Sequence, residues 1–199
     1  NEEGNIAAAI DRLPDFPGTQ LEIIYVEGNS SDNTWQKILE VSNENHKKID
    51  IKAYQQSGKG KYDAVRLGFF KASHELVTIL DADLTMPPEL LPRFYNAYCA
   101  GNGDFINGNR LLYQMERDAM RPLNRLGNLF FAKSLGWVLG VRIGDSLCGT
   151  KMFTAHDYKR FEEWRSCFGD FDPFGDFEML FAASELALGI QAVSYTHLR

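Results

Sequence analysis

Two aspartates with one residue between them, Asp81 and Asp83, close the apolar run Leu76-Val77-Thr78-Ile79-Leu80. Mg²⁺ and Mn²⁺ are hard cations; Mg²⁺ usually takes one or two such carboxylates and fills its remaining positions with substrate phosphates and water. Ligands of open α/β sheets bind just beyond the carboxyl ends of the strands. A metal held there would suit a phosphorylated or nucleotide substrate. Asp-x-Asp also arises by chance in loops, so its neighbours carry the weight. Three more polar constellations lie along the chain: Asn1-Glu2-Glu3-Gly4-Asn5-Ile6 at a helix start, Val26-Glu27-Gly28-Asn29-Ser30-Ser31-Asp32-Asn33-Thr34 after a strand, and Gly108-Asn109-Arg110 after another.

Such residues need a scaffold that gathers strand ends. Ile6 to Leu13 reads as a helix stopped by Pro14 and Pro17-Gly18. Leu21 to Val26 is a strand, and Asp32 is placed to cap the helix that carries Thr34, Trp35, Ile38, Leu39 and Val41. Ile49 to Tyr54 is a short strand, and Gly58-Lys59-Gly60 leads into a helix over Tyr62 to Ala72. After the strand Leu76 to Leu80, Pro87-Pro88 opens a helix running to about Ala100, since proline is tolerated in a first turn. Asp104 to Asn107 is the next strand, Phe177 to Leu188 a late helix and Ile190 to Val193 a last strand. This β-α-β-α order predicts an α/β fold with a mostly parallel central sheet covered by helices on both faces.

The chain has 199 residues with 44% hydrophobic content, a size and composition suited to a single domain with a substantial core. It begins at Asn1, with no strand before the first polar constellation, so residues 1–199 read as one domain cut at both ends. Residues 194–199 are open to being non-native sequence. A net charge of −6 argues against broad nucleic-acid binding, which needs a concentrated basic surface. Cys99, Cys148 and Cys167 lack any Cys-x-x-Cys pairing and read as thiols of a reducing compartment. No stretch reaches the roughly 18 to 20 apolar residues of a membrane span. The nearest, Leu123 to Val141, is broken by Asn124, Arg125, Asn128, Lys133 and glycines, and reads as an amphipathic helix pair that packs on the core or faces a membrane or acceptor.

Together the four constellations resemble the inverting glycosyltransferases of family 2, and among them the dolichol- or polyprenyl-phosphate sugar transferases. The most specific likeness is Asp81-Ala82-Asp83-Leu84 with Pro87-Pro88-Glu89 behind it. The resemblance implies the GT-A fold, a Rossmann-like three-layer sandwich, and a GDP- or UDP-sugar donor whose diphosphate is bridged by Mg²⁺ or Mn²⁺ on Asp81 and Asp83. It places Glu2, Glu27 and Asp32 around the nucleoside. It sets Lys61, Asp63 and Ala82 against the rest of the donor, Lys61 and Asp63 as part of the glycine-rich stretch Gly58 to Ala64. Two departures stand out: Gly28 and Asn29 replace the family's second aspartate and glycine, and Thr85 stands where many relatives have glutamine.

For the acceptor, Arg110, Arg121 and Lys151 are cations that could meet a phosphate, arginine as a planar fork. Asp145-Ser-Leu-Cys-Gly-Thr-Lys151 resembles the stretch that lies beside the acceptor in the family. A hydroxyl acceptor would need a carboxylate such as Asp176 or Asp145 to take its proton. A lipid phosphate would need no strong base, only positioning. Asp170 and Asp172 serve as possible caps of the late helix. The resemblance favours the lipid phosphate, at the inner, cytoplasmic face of a membrane, with no nucleic-acid partner.

Three other readings compete. A phosphatase of the haloacid dehalogenase type would use Asp81 as nucleophile and Asp83 as acid/base in Asp-x-Asp-x-Thr85. It also needs a second carboxylate four residues after Asp170, where Phe174 stands. A nucleotidyltransferase would begin with a glycine-rich basic loop, which is not seen. A degenerate module would hold a sugar nucleotide without turning it over, and Gly28 is the feature in its favour.

Overall fold

A computed structural model describes residues 1–44, 49–110, 122–140, 143–168 and 175–195. Helix α1 (Glu3–Asp11) buries Ile6 and Ile10, one turn apart. Strand β1 (Glu22–Glu27) pairs in parallel with β2 (Asp50–Gln55), joined through α2 (Thr34–Asn43). Alternate strand residues Ile23, Tyr25, Ile51 and Ala53 meet Ile6, Ile10, Ile38 and Val41 of the two helices. Period-two burial on the strands therefore matches the three- and four-residue spacing on the helices.

Helix α3 (Lys61–Lys71) leads to the short strand β3 (Leu76–Thr78). A 3₁₀ turn at Pro88–Leu90 then feeds α4 (Leu91–Cys99), β4 (Phe105–Asn109) and α5 (Pro122–Leu139). Next come β5 (Lys151–Thr154), α6 (Ala155–Phe168), α7 (Asp176–Glu185) and β6 (Ile190–Ser194). The second sheet has the order β3-β5-β4-β6; β3, β4 and β6 share one direction and only β5 opposes them.

Helices cover both faces of that sheet. Val77, Phe105 and Phe153 pack with Phe69 of α3, Tyr158 and Phe161 of α6, and Met179 and Leu180 of α7. The Phe105 and Phe153 rings stack with centroids 5.3 Å apart. Their strand neighbours Ile106 and Met152 face the other way, onto Leu91 and Phe94 of α4. Each large side chain buried this way contributes about 1.5–3 kcal/mol.

Three local expectations change. Of the stretch Leu123 to Val141, residues Leu123 to Leu139 lie in one helix, α5, and not in a pair, while Val141 falls outside the described residues. An internal glycine costs a helix only about 1 kcal/mol, and the break comes at Gly140, in the left-handed region at φ +66°. Strand β5 and helix α6 have no counterpart in the sequence reading. The α2 N-cap is Asn33, while the Asp32 carboxylate receives the Thr34 backbone N–H from one residue further back. The expected caps Asp170 and Asp172 lie outside the described residues.

Candidate active site

Strand β3 ends just before Asp81-Ala82-Asp83, and the chain then turns tightly: the Leu84 N–H donates to the Asp81 carbonyl at 3.1 Å, with Leu84 at φ +52°. A bulky residue in that region is strained, and such strain gathers at functional turns. Thr85 donates to Asp83 Oδ1 from both its backbone N–H (3.1 Å) and its hydroxyl (2.9 Å), which orients the second carboxylate. Ala82 is exposed between the two. Two partly exposed oxygen ligands fit a hard divalent cation that draws its other ligands from phosphate and water. Among the described residues no group of three or more His, Cys, Asp or Glu side chains is placed to hold a metal ion by itself.

Asp81 belongs to a chain of alternating charges. Lys61, the first residue of α3, brings Nζ to 2.9 Å from Asp81 Oδ1 and 4.0 Å from Asp176 Oδ2. Lys151 Nζ meets the other oxygen of Asp176 at 2.6 Å and donates to the Cys148 carbonyl. Burial works against the Lys61 ammonium, yet Asp81 and Asp176 together hold its pKa above the ordinary lysine value. The two ion pairs differ in kind. Lys61 and Asp81 are each about 30% exposed, and exposed pairs contribute about 0–1 kcal/mol. Lys151 is fully buried, and removing one partner of a buried pair costs about 3–5 kcal/mol. Gly149 lies against the first pair: a Cβ there would fall 2.2 Å from Asp81 Oδ2 and 2.3 Å from Lys61 Nζ.

Lys151 was expected at an acceptor phosphate; instead β5 carries it into the interior, where Asp176 and Cys148 satisfy its ammonium. Asp145 was expected as a possible base. It is fully buried and accepts hydrogen bonds from the Arg110 backbone and guanidinium, from Asn128 Nδ2 and from the Leu147 N–H. Burial alone would raise its carboxyl, but Arg110, then Asn128, hold it below the usual aspartate value. Neither of its oxygens is open to a proton from an acceptor. The Arg110 fork, half-buried, grips both oxygens at 2.7 and 3.0 Å. Arg121 lies outside the described residues. Asn128, which the sequence reading took only as an interruption of an apolar run, is buried on α5 and ties that helix to Asp145.

The nucleoside-side candidates cluster where β1 ends and α1 and α2 begin. The Glu2 backbone N–H donates to Thr34 Oγ1 at 2.9 Å, and the Thr34 hydroxyl donates to Asp32 Oδ1 at 2.5 Å. Glu27, at the end of β1, accepts from the Ser30 N–H and from Gln55 Nε2. Burial raises its pKa, but these hydrogen bonds outweigh that and bring it below the usual glutamate value. Asn29 sits at φ +62°, a region asparagine enters more readily than most residues, which accounts for its place where a glycine was expected. A Cβ on Gly28 would come 2.8 Å from Gln56 Nε2, so Gln56 fills the room an aspartate would take. Asp63 folds back on the glycine-rich loop, its carboxylate 2.5 Å from where a Gly58 Cβ would stand.

The family model described as glycosyl transferase family 2 matches residues 1–157. A dolichyl-phosphate hexose transferase of Haloferax volcanii is 30% identical over 156 residues, 77% of this chain and 62% of that protein. A dolichol-phosphate mannosyltransferase of Pyrococcus furiosus is 34% identical over 112 residues, 55% of this chain and 30% of that protein. An undecaprenyl-phosphate 4-deoxy-4-formamido-L-arabinose transferase of Yersinia pestis is 30% identical over 141 residues, 68% and 43%. This chain thus spans between 30% and 62% of the length of these relatives. Among solved structures, glucosyl-3-phosphoglycerate synthase of Mycobacterium tuberculosis, in complex with Mn²⁺, UDP-glucose and phosphoglyceric acid, superposes with a TM-score of 0.72 at 17% identity. That alignment covers 100% of this chain and 69% of the synthase, and the shared fold is GT-A.

Proposed function

This chain belongs to glycosyl transferase family 2, and from that premise we propose that it moves a hexosyl group from a GDP- or UDP-sugar to a polyprenyl phosphate at the inner, cytoplasmic face of a membrane, with inversion at the anomeric carbon. Asp81 and Asp83 hold Mg²⁺ or Mn²⁺ together with the donor diphosphate. A divalent cation there supplies Lewis-acid stabilisation of the departing diphosphate. Glu2, Glu27 and Asp32 border the nucleoside, and Lys61, Asp63 and Ala82 border the rest of the donor. Family membership sets aside the phosphatase and nucleotidyltransferase readings.

The observation that carries the choice of acceptor is that both candidate bases are buried and ion-paired. Asp145 is saturated by Arg110, Asn128 and Leu147. Asp176 faces Lys151 with one oxygen and Lys61 with the other. A hydroxyl nucleophile would have to give its proton to a buried carboxylate already held by a cation, whereas a phosphate oxygen brings its own charge. Arg110 and Arg121 then serve to position that phosphate. Helix α5 supports the same choice. Phe130, Phe131, Trp137 and Val138 are 66%, 51%, 86% and 62% exposed, and Phe130, Trp137 and Val138 fall on one helical face at spacings of seven and eight residues. An exposed apolar face rich in aromatics suits a membrane surface. Among the described residues no helix is long and apolar enough to cross a membrane.

The test offers radiolabelled GDP-mannose or UDP-glucose with Mn²⁺ to the protein and vesicles carrying undecaprenyl or dolichyl phosphate. Label is expected in the lipid extract, as a single glycosyl phosphate of inverted configuration. Label transferred only to a soluble hydroxyl acceptor would overturn the acceptor. Donor bound but never turned over would favour the degenerate module.

A further inference from the structure

The charge chain Asp81–Lys61–Asp176–Lys151 has one fixed pair and one loose pair. Lys151 is fully buried and bound by Asp176 and the Cys148 carbonyl. Lys61 is about 30% exposed, with Asp81 Oδ1 at 2.9 Å and a second carboxylate oxygen, Asp176 Oδ2, at 4.0 Å. The root of Lys61 is held: the next residue, Tyr62, donates its hydroxyl to buried Glu178 Oε1 at 2.6 Å. Its ring also packs on Gly175 so closely that a Cβ there would lie 2.2 Å away. The start of α3 is thereby clamped to the start of α7, while the Lys61 side chain itself stays partly exposed. Gly149 keeps side-chain atoms away from that tip and from Asp81.

We propose that Lys61 is the exchangeable counter-ion of Asp81: it occupies this carboxylate when no donor is bound and yields it, shifting toward Asp176, when a divalent cation arrives. This rests on the reading of Asp81 and Asp83 as the metal site. A cation that binds alone must displace an ammonium from its ligand and then sit beside that positive charge. A cation that arrives with a diphosphate brings anionic oxygens which the released ammonium can meet. Lys61 therefore holds down the affinity for metal alone and links metal binding to donor binding. The site stays electrically balanced in both states, because Asp176 keeps Lys151 throughout.

The experiment titrates Mn²⁺ alone, following the free-ion electron paramagnetic resonance signal, into wild type, Lys61→Met, Lys61→Gln and Lys61→Arg. Removing a unit positive charge this close to a ligand oxygen in a half-exposed site is worth about tenfold in affinity for a divalent ion. Lys61→Met and Lys61→Gln are expected to bind Mn²⁺ about tenfold more tightly than wild type, and Lys61→Arg to resemble wild type. The gain should vanish in Lys61→Met/Asp81→Asn. Adding UDP or GDP should tighten Mn²⁺ binding more in wild type than in Lys61→Met. Equal Mn²⁺ affinity of wild type and both neutral variants would overturn the counter-ion role and leave the metal site standing. A gain that persists without Asp81 would also overturn it. Failure of every protein to bind Mn²⁺, with or without nucleotide, would overturn both the role and the metal site.

Discussion

Asp145 and Asp176 look alike as letters, and both are buried in ion pairs, Asp145 with Arg110 and Asp176 with Lys151. With its carboxyl held below the usual aspartate range, first against burial and then by Arg110 and Asn128, Asp145 contributes stability above the unfolded-state value of about 3.9 and loses it as pH falls through the lower folded value. Asp145→Asn should therefore cost about 3–5 kcal/mol at neutral pH, as for a buried pair stripped of one partner. It should also flatten the loss of stability on acidification below about pH 4. Urea unfolding between pH 3 and 7 measures both. A variant as stable as wild type but inactive would return Asp145 to the chemistry. The candidate residues drew notice because carboxylates at a strand end have few structural uses; Asp81 and Asp83 do follow β3, and Asp81 stands beside Lys61. Burial was not legible. Nothing in Asp-Ser-Leu-Cys-Gly-Thr-Lys announces that its two charged ends are fully covered, because the covering groups, Asn128 and Asp176, are distant in sequence.

Elements were readable where period and punctuation agreed. Strands β1, β2 and β4 and helices α1 to α4 fall within a few residues of their expected spans, since proline and glycine mark their ends and apolar spacing marks their faces. Strand β5 escaped because it is four residues long and opens with a lysine. Its charge reads as surface until Asp176 is known to meet it. Helix α5 was half legible: its apolar content was plain, its continuity through Gly127 and Gly136 was not. Its inner face holds Asn128 and Ala132, and Leu139 accepts from Ser184 of α7. Its outer face is free of such ties at Trp137, which is 86% exposed. Trp137→Ser with Phe130→Ser should leave stability within about 0.5 kcal/mol. Binding to vesicles of phosphatidylcholine with phosphatidylglycerol should fall at least about tenfold, given about 1.5–3 kcal/mol for each large side chain buried. Sedimentation with vesicles reads the difference, and equal partition of both proteins would remove α5 from the membrane.

At the scale of the molecule, Glu27 ends β1, Asp81 follows β3 and Arg110 follows β4, in two sheets of order β1-β2 and β3-β5-β4-β6. Helices on both faces leave those ends as the place where polar groups collect without covering one another. Within that frame the charges sort into a covered set, Asp145, Lys151 and Asp176, and an open set, Asp81, Asp83, Lys61 and the exposed part of Arg110. The proposed donor site lies in that open set, with Asp81 and Asp83 as the carboxylates for the metal of the diphosphate. The most direct measurement is calorimetric titration of wild type and Asp83→Ala with GDP-mannose and UDP-glucose, each in Mn²⁺ and in EDTA. One donor should bind wild type in Mn²⁺, and that binding should disappear in EDTA and in the variant. Failure of folded protein to bind either donor, or binding indifferent to EDTA and to Asp83, would contradict a donor site built on Asp81 and Asp83.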